Sequence, residues 1–555
     1  MTNMKKIVSI LCGVGLLFAT SSCEKDFEEI NTNPNKPKTS LPYALFNGAN
    51  KRLMDYTRYS TTSGKLIRTW MQYTAQTAYT KESRFLYADT AGDYIWRFCY
   101  QVAGIYKEII ELNTDPKTKE KTALYGDNDN QIAAARIMMN YAMSIVTETF
   151  GDVPYYSWHG KDNPKFQALQ LEKYISPKYA SQKDIYMDML DDLKEAVAQI
   201  NKSKSNVFTA GDMVFKTPER LEKFGNSLRL RIAIHLSRVQ DAELKQKAID
   251  AIREIVQNPA QYPLMASNAD TVELPYEKND INASPIYKNY FVDKRTDYSP
   301  ANTLVDMLKG TRGASLGFGV DPRLQKYVTP KGLKIEQVRD GQYQETTDLT
   351  KYVGMPYGIS ESYSDSQFGS GRIVSLFSQK ILSADYAEVF MEYSEVCFLL
   401  SEANYVVNGT WDDAKYKEGV KASMEKWGVE SSKITAFVTA LPAATEETVM
   451  TQKYIALYMN PNEAWTEYRR TGYPSVLIKD GERGIPMVEP VQDKNGSSIT
   501  TYSFTSLVDG VPFPERLRYP LTYKNINLAN YQEALKNMGM GSTDVMNKKL
   551  IFAKR

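Results

Sequence analysis

Apolar residues recur along much of the chain at alternating steps of three and four, the spacing that lines one face of an α-helix. Between Gln131 and Phe150, the residues Ala134, Met138, Tyr141 and Ile145 follow at steps of four, three and four, and Gly151-Asp152-Val153-Pro154 then stops the pattern. Leu221, Phe224, Leu228, Ile232 and His235 form a second stripe. Val389, Tyr393, Val396, Leu400, Ala403 and Val407 form a third, and each such stripe is a face meant for other helices. Further helices are predicted near 43–78, 93–113, 183–201, 242–257, 412–427, 445–459 and 461–470. No strict repeat is present, but helix pairs spaced by roughly 30–40 residues predict a tetratricopeptide-like superhelix.

Between 260 and 380 the periodicity gives way to Asn, Asp, Gly, Pro, Ser and Tyr. Gly310, Gly313, Gly317 and Gly319 fall there, followed by Gly354, Gly358, Gly369 and Gly371. This is loop chemistry, and a long irregular stretch inside a compact chain is usually functional. Asp493-Lys494-Asn495-Gly496 predicts a hairpin turn between short strands.

Composition narrows the chemistry. With 555 residues and 42% hydrophobic positions, the chain can bury a large core without structural metals or disulfides. Its 68 basic residues against 66 acidic ones leave no broad electrostatic footprint for a phosphate backbone, so nucleic acid is not an expected partner. His159 and His235 are the only histidines, which removes most zinc sites and most Ser–His or Cys–His catalytic pairs. Tyrosine is abundant instead, at 38 against 20 Phe and 6 Trp. Such rings combine an apolar face with a polar tip, which suits helix seams and polar-ligand surfaces alike.

The first residues read as an address. Lys5 and Lys6 precede an apolar run from Ile7 to Ala19, too short to span a bilayer, and Thr20-Ser21-Ser22-Cys23 follows. This layout resembles a bacterial lipoprotein signal covering 1–22, with Cys23 acylated as the first mature residue. Its removal deletes two lysines and no acids, leaving 66 residues of each sign. Acyl chains would then anchor the protein without a spanning helix. Residues 23–40, with Asn31-Thr32-Asn33-Pro34-Asn35-Lys36-Pro37, read as an extended tether. Cys99 and Cys397 lie in apolar helical patterns and are expected as buried free thiols.

Three local patterns suggest chemistry and yield to plainer readings. Gly313-Ala314-Ser315-Leu316-Gly317 fits the nucleophile-elbow spacing, but no histidine follows His235 to take a serine proton, and the preceding Leu304–Leu308 reads as helix. Asp127-Asn128-Asp129-Asn130 offers oxygens to calcium yet lacks the glycine and terminal glutamate of an EF-hand loop. Capping of the helix that begins near Gln131 accounts for it better. His235 sits on an apolar helix face and is expected as a hydrogen-bonded core residue. No cofactor is called for, although a structural calcium ion stays open.

Seven motifs occur in order behind the signal: Cys23-Glu24-Lys25-Asp26-Phe27, Gly151-Asp152-Val153-Pro154-Tyr155, Asn226-Ser227-Leu228-Arg229-Leu230-Arg231, Asp321-Pro322-Arg323-Leu324, Tyr393-Ser394-Glu395-Val396 through Ser401-Glu402-Ala403, Glu463-Ala464-Trp465-Thr466-Glu467-Tyr468-Arg469-Arg470-Thr471-Gly472-Tyr473-Pro474, and Arg516-Leu517-Arg518-Tyr519-Pro520. Together, over essentially the whole chain, they resemble the SusD/RagB nutrient-binding outer-membrane lipoproteins. The resemblance implies a mainly α fold in which tetratricopeptide-like helix pairs form a superhelical scaffold, with a large irregular ligand-binding region and a few short strands. On that basis residues 41–555 are one domain, with scaffold at about 41–258 and 386–475, the loop-rich region at 259–385 and a C-terminal region at 476–555.

The resemblance also implies a non-enzymatic role. Such a protein, anchored in the outer membrane and exposed at the cell surface, captures oligosaccharides or peptides and passes them to a SusC-like TonB-dependent barrel. A surface glycoside hydrolase using two carboxylates is a minor alternative. Arg323, Arg469, Arg470 and Arg516 suit buried hydrogen bonding, and Trp465 suits the core. By position in the family, the ligand site falls on three stretches. These are 79–94 with Tyr79, Arg84, Phe85 and Tyr87, 287–298 with Tyr290, Arg295, Asp297 and Tyr298, and 352–368 with Tyr357 and Tyr363.

Overall fold

The computed structural model describes residues 41–361, 373–492 and 497–554. Six long helices run through the first half: α1 (Pro42–Arg58), α2 (Asp93–Thr114), α3 (Asn128–Phe150), α4 (Gln182–Ala198), α5 (Pro218–Leu236) and α6 (Ala242–Gln257). Each packs on the next in sequence, and α5 and α6 then pack on α8 (Tyr393–Asn408) of the second half, beyond the short α7 (Asn302–Leu308). There α8 packs on α9 (Asp413–Lys426), α9 on α10 (Ser431–Ala440), and α11 (Glu446–Ala456) on both α8 and α12 (Pro461–Thr471). Two shorter helices, α13 (Leu521–Ile526) and α14 (Leu528–Asn537), follow near the end. The architecture is mainly α and tetratricopeptide-like.

The starts of these helices are written locally. Side chains of Asp127, Ser181, Thr217, Asp241, Asp412 and Thr445 accept backbone N–H groups of the first turns of α3, α4, α5, α6, α9 and α11. These bonds satisfy donors that the helix itself leaves open. Asp127 thus caps α3, with bonds from Asp129 and Asn130 of 3.1 and 3.3 Å. At the other end Gly151 takes φ of 98°, and a Cβ there would lie 2.2 Å from Met538 Cε. Only glycine is accommodated at that junction.

Two helical expectations change. The helix predicted over 43–78 ends at Arg58, where Tyr59 becomes extended, and Ser60–Ile67 continues as a π-helix. The Ser-Thr-Thr-Ser-Gly run has weak helix propensity, so the pattern breaks where tertiary packing redirects the chain. Val389 leaves the third stripe, because Glu388–Met391 forms strand β4, antiparallel to β2 (Val272–Leu274). A fully buried strand and a helix turn look alike over four apolar residues. The region near 313–317 is a 3₁₀ turn between Gly313 and Gly317, both left-handed, and it follows α7 rather than a strand. The elbow reading fails on geometry.

β1 (Thr74–Gln76) pairs antiparallel with β3 (Tyr298–Pro300), matching Gln76 with Tyr298, and a parallel bridge joins Ala301 to Met355. β5 (Ile485–Gln492) pairs with β6 (Ser498–Tyr502) as a hairpin. Its turn, 493–496, lies outside the described residues.

One continuous apolar core runs under the scaffold, with a satellite cluster of Phe398, Tyr416, Val420 and Val449 between α8, α9 and α11. The arginines of the motifs lie inside. Arg470 makes a two-pronged pair with Glu402 at 2.6 and 2.7 Å, and Arg323 binds Asp321 through two of its nitrogens. Arg469 donates to the carbonyls of Glu148 and Glu515 and lies 3.6 Å from the Trp465 ring, while Arg516 donates to Phe150 O and Val545 O. Planar guanidinium groups with fixed forks suit such carbonyl and carboxylate ties between elements. Cys99 and Cys397 are buried free thiols.

Candidate ligand-binding face

The three stretches singled out in the sequence meet. β1–β3 pairing brings 79–94 beside 287–298, reinforced by Thr77 N–H donating to Asp297 O at 2.8 Å, and the Ala301–Met355 bridge adds the third stretch. Residues 502–513 close the group. Tyr502 O–H donates to Tyr357 O at 2.9 Å, and Leu507 N–H to Arg84 O at 2.9 Å.

Within that junction the named residues separate into two sets. Phe85, Tyr87, Tyr290, Tyr298 and Tyr357 are buried, the last with no exposure at all. Phe85 packs edge-on against Phe504 and Phe513, Tyr87 accepts from Arg518 N–H, and Tyr290 donates its hydroxyl to Tyr298 O. They offer no ring face to solvent here, contrary to expectation, because residues 502–518 pack over Phe85, Tyr87 and Tyr357, and the β1–β3 junction encloses Tyr290 and Tyr298. Tyr79, by contrast, is 66% exposed, and the Arg295 guanidinium lies 6.0 Å from its ring centre while pairing with Asp297 at 2.6 Å. Arg84 is half-buried, and burial lowers its pKa despite the charge of Glu361. Tyr363 and Cys23 lie outside the described residues.

Next to this edge opens a cleft of about 390 Å³, lined by Asp55, Tyr56, Tyr59, Tyr94, Arg97, Pro285 and Lys288. The end of α1 supplies Tyr56, and the first turns of α2 supply Tyr94 and Arg97. Tyr56 stacks within 6° of parallel on the buried Phe98, Tyr94 lies beside the pair at 6.1 Å from Tyr56 and 6.0 Å from Phe98, and Arg97 covers Phe98 at 4.6 Å. Tyr59 donates its hydroxyl to Asp293, which ties the cleft to the turn carrying Arg295 and Asp297. Burial, then the nearby Lys51, lowers the Lys288 pKa. A volume of this size with aromatic faces and a few charged tips is within the range of small-molecule sites.

Tyr94 and Lys288 fall within the stretches named from the sequence but were not singled out there, and Asp55, Tyr56, Tyr59 and Arg97 were not named. A weak signal existed. Tyr94 and Arg97 stand off the buried stripe of α2, which runs through Ile95, Phe98, Val102, Tyr106 and Ile109. A larger cleft of about 540 Å³ lies between Glu273, Lys380, Asp385, Lys426 and Trp427. Its charges are largely satisfied internally, with Lys426 paired to Glu392 and Glu273 and Lys380 set over the buried Trp427. It is the weaker candidate.

His235, Glu463 and Glu467 approach one another closely enough to hold a metal. The arrangement is instead a charge network. His235 Nδ1 is 3.1 Å from Glu148 and Nε2 is 2.9 Å from Glu463, so both ring nitrogens face carboxylates, while Lys453 Nζ is 2.8 Å from Glu467. The expected core role of His235 is what the structure contains.

Helices packed each on the next in sequence define a tetratricopeptide-like scaffold. The chain belongs to the SusD-like family: a profile described as "Starch-binding associating with outer membrane" matches residues 34–487, and one described as "Susd and RagB outer membrane lipoprotein" matches 443–552. Solved structures agree in fold. A chitin-binding protein shares 24% identity with a TM-score of 0.68, the alignment covering 93% of this chain and 100% of that one. A SusD homologue from Bacteroides uniformis shares 22% at 0.66 over 93% and 99%, and one from Parabacteroides distasonis 19% at 0.67 over 93% and 98%. No curated protein matches the chain. Among the described residues no helix is long and apolar enough to cross a membrane.

Proposed function

We propose that this protein is a lipid-anchored, surface-exposed nutrient-binding protein of the outer membrane that captures oligosaccharides and delivers them to a SusC-like TonB-dependent barrel. The observation that carries the reading is the pair of half-buried rings Tyr56 and Tyr94, backed by the buried Phe98 and flanked by Arg97 and Lys288 in a solvent-open cleft of about 390 Å³. Sugar rings present apolar C–H faces to aromatics, while their hydroxyls take hydrogen bonds from charged and polar tips. The matching family profile is described as starch-binding and one structural neighbour as chitin-binding, which supports the same cargo class. Tyr79, Arg295 and Asp297 are assigned to the edge of this site through the Tyr59–Asp293 hydrogen bond. The role is binding without turnover.

Calorimetric titration of residues 24–555 against oligosaccharide and peptide panels, with product analysis afterward, tests this. Saturable binding to a glycan without new reducing ends is expected. Binding confined to peptides would change the cargo, and product formation would overturn the non-enzymatic reading. Delivery to a barrel requires a stable interface of about 2,000 Å² or more, so the protein should co-purify with a large barrel from mildly solubilised outer membranes. Elution alone under those conditions would remove the transport arm.

A further inference from the structure

Beneath the floor of the cleft, and sharing Pro285 with it, lies a second and much smaller cavity. It is about 10 Å³ in volume and is lined by Arg58, Gly64, Arg68, Thr74, Pro285, Ile286, Asn289, Tyr290, Tyr298 and Phe377. Its lining contains two cationic side chains and no carboxylate. Arg58, 1% exposed, uses Nη2 on Asn460 at 2.8 Å and on Val389 O at 3.2 Å, but its Nε and Nη1 have no protein acceptor. Arg68, 3% exposed, forms no ion pair among the described residues, and its Nε and Nη2 also lack an acceptor. The Tyr298 hydroxyl is another buried donor without a partner.

Buried polar groups are almost always satisfied, and a buried guanidinium facing no acceptor is the costliest exception. The nearest carboxylate does not repair it. Glu388, fully buried, stands 3.7 Å from Arg58 Nε, does not line the cavity, and neither of its oxygens has a hydrogen bond. Burial pushes it up to about 7 even with Arg58 and Arg68 beside it. Ionised, Glu388 leaves the two arginines with one uncompensated positive charge. Protonated, it leaves two.

We infer that this cavity binds one monovalent anion of halide size, such as chloride, between the guanidinium groups of Arg58 and Arg68, with the Tyr298 hydroxyl as a further donor. The volume admits a single solvent-sized guest, which excludes sulfate, phosphate and carboxylates. Water would meet the geometry but leave the charge uncompensated. The anion would join the end of α1, the Gly64–Arg68 segment and the 285–298 segment, the first and last of which also line the larger cleft.

The test is thermal unfolding of the full chain at constant ionic strength in chloride, bromide or gluconate, the last too large to enter. The midpoint should rise with the logarithm of halide concentration above the dissociation constant, and Arg68→Gln should abolish the halide-specific part while keeping the general salt effect. Crystals soaked in bromide should show one anomalous peak between Arg58 and Arg68. Superimposable melting curves in halide and gluconate, or only water in the cavity of bromide-soaked crystals, would overturn the assignment. Should Arg68→Gln not fold, the wild-type bromide experiment decides by itself.

Discussion

His235 is the residue whose replacement should be felt furthest from its own position. Its side chain is fully buried, with carboxylates against both ring nitrogens, Glu148 at 3.1 Å and Glu463 at 2.9 Å, and Glu467 at 3.3 Å. Neutral imidazole has one N–H and cannot serve both sides. The ring is therefore an imidazolium. Counting the buried groups around it, Arg231, His235, Lys453, Arg469 and Arg470 balance Glu148, Glu395, Glu402, Glu463 and Glu467 only if His235 is charged. Burial by itself would lower the His235 pKa, but the charge of Glu463 and hydrogen bonds to Glu148, Glu463 and Glu467 outweigh it and hold the pKa well above the usual value.

The perturbation is His235→Gln, which keeps at most one donor and removes the charge. Breaking a buried pair while leaving its partner ionised costs about 3–5 kcal/mol. Guanidinium unfolding followed by fluorescence should show that loss near pH 6. The pH dependence separates lost charge from lost packing. A folded-state pKa above the unfolded value of about 6.5 means the stabilisation is complete below pH ~6.5 and is lost as pH rises toward the folded pKa. Over that window the wild type should lose about 1.4 kcal/mol per pH unit from this group, and His235→Gln should lack that component. Parallel stability–pH curves for the two proteins, or a variant within about 0.5 kcal/mol of wild type at pH 6, would refute the imidazolium argument.

Other consequences are more local. Tyr94→Ala should weaken glycan binding by about 0.5–1.5 kcal/mol, roughly two- to twelvefold in Kd, with an unchanged melting point, as read by calorimetry and differential scanning. Trp465→Ala removes a buried ring and its 3.0 Å bond to Pro514 O, so it should destabilise by about 3–5 kcal/mol without changing the ligand affinity of the folded fraction. Gly151→Ala forces both a positive φ and a 2.2 Å approach to Met538, and it should lower the melting point while the same change at the open Gly48 does not. Burial raises the pKa of the Cys99 thiol and pushes Cys397 up to about 12. Both should resist thiol reagents in native residues 24–555 and react only after unfolding, as a chromogenic disulfide titration would show.

The helices were legible because their instructions are local. Period, caps and stops lie within a few residues of one another, as where the Asp127–Asn130 run and Gly151 bound α3; the caps Ser181, Thr217, Asp241, Asp412 and Thr445 are equally local, although the structure brought them out. The family motifs were legible for the same reason, and their arginines turned out to be the buried ties that geometry required. Val389 was misplaced because its strand exists only through pairing with residues some 115 positions earlier in the chain.

What tertiary structure alone decided is which aromatics face outward. Tyr298 and Tyr79 look equivalent in sequence, each a tyrosine in a polar stretch, yet one is a buried member of β3 and the other stands exposed three residues past the end of β1. The cleft itself joins the end of α1 to the start of α2 and the turn after Pro285, residues more than 200 positions apart. Local pattern sets where a helix begins and which stripe it buries. Exposure of a loop side chain, and the pairing of a buried charge, depend on what distant segments bring against it, and no window of sequence contains both partners.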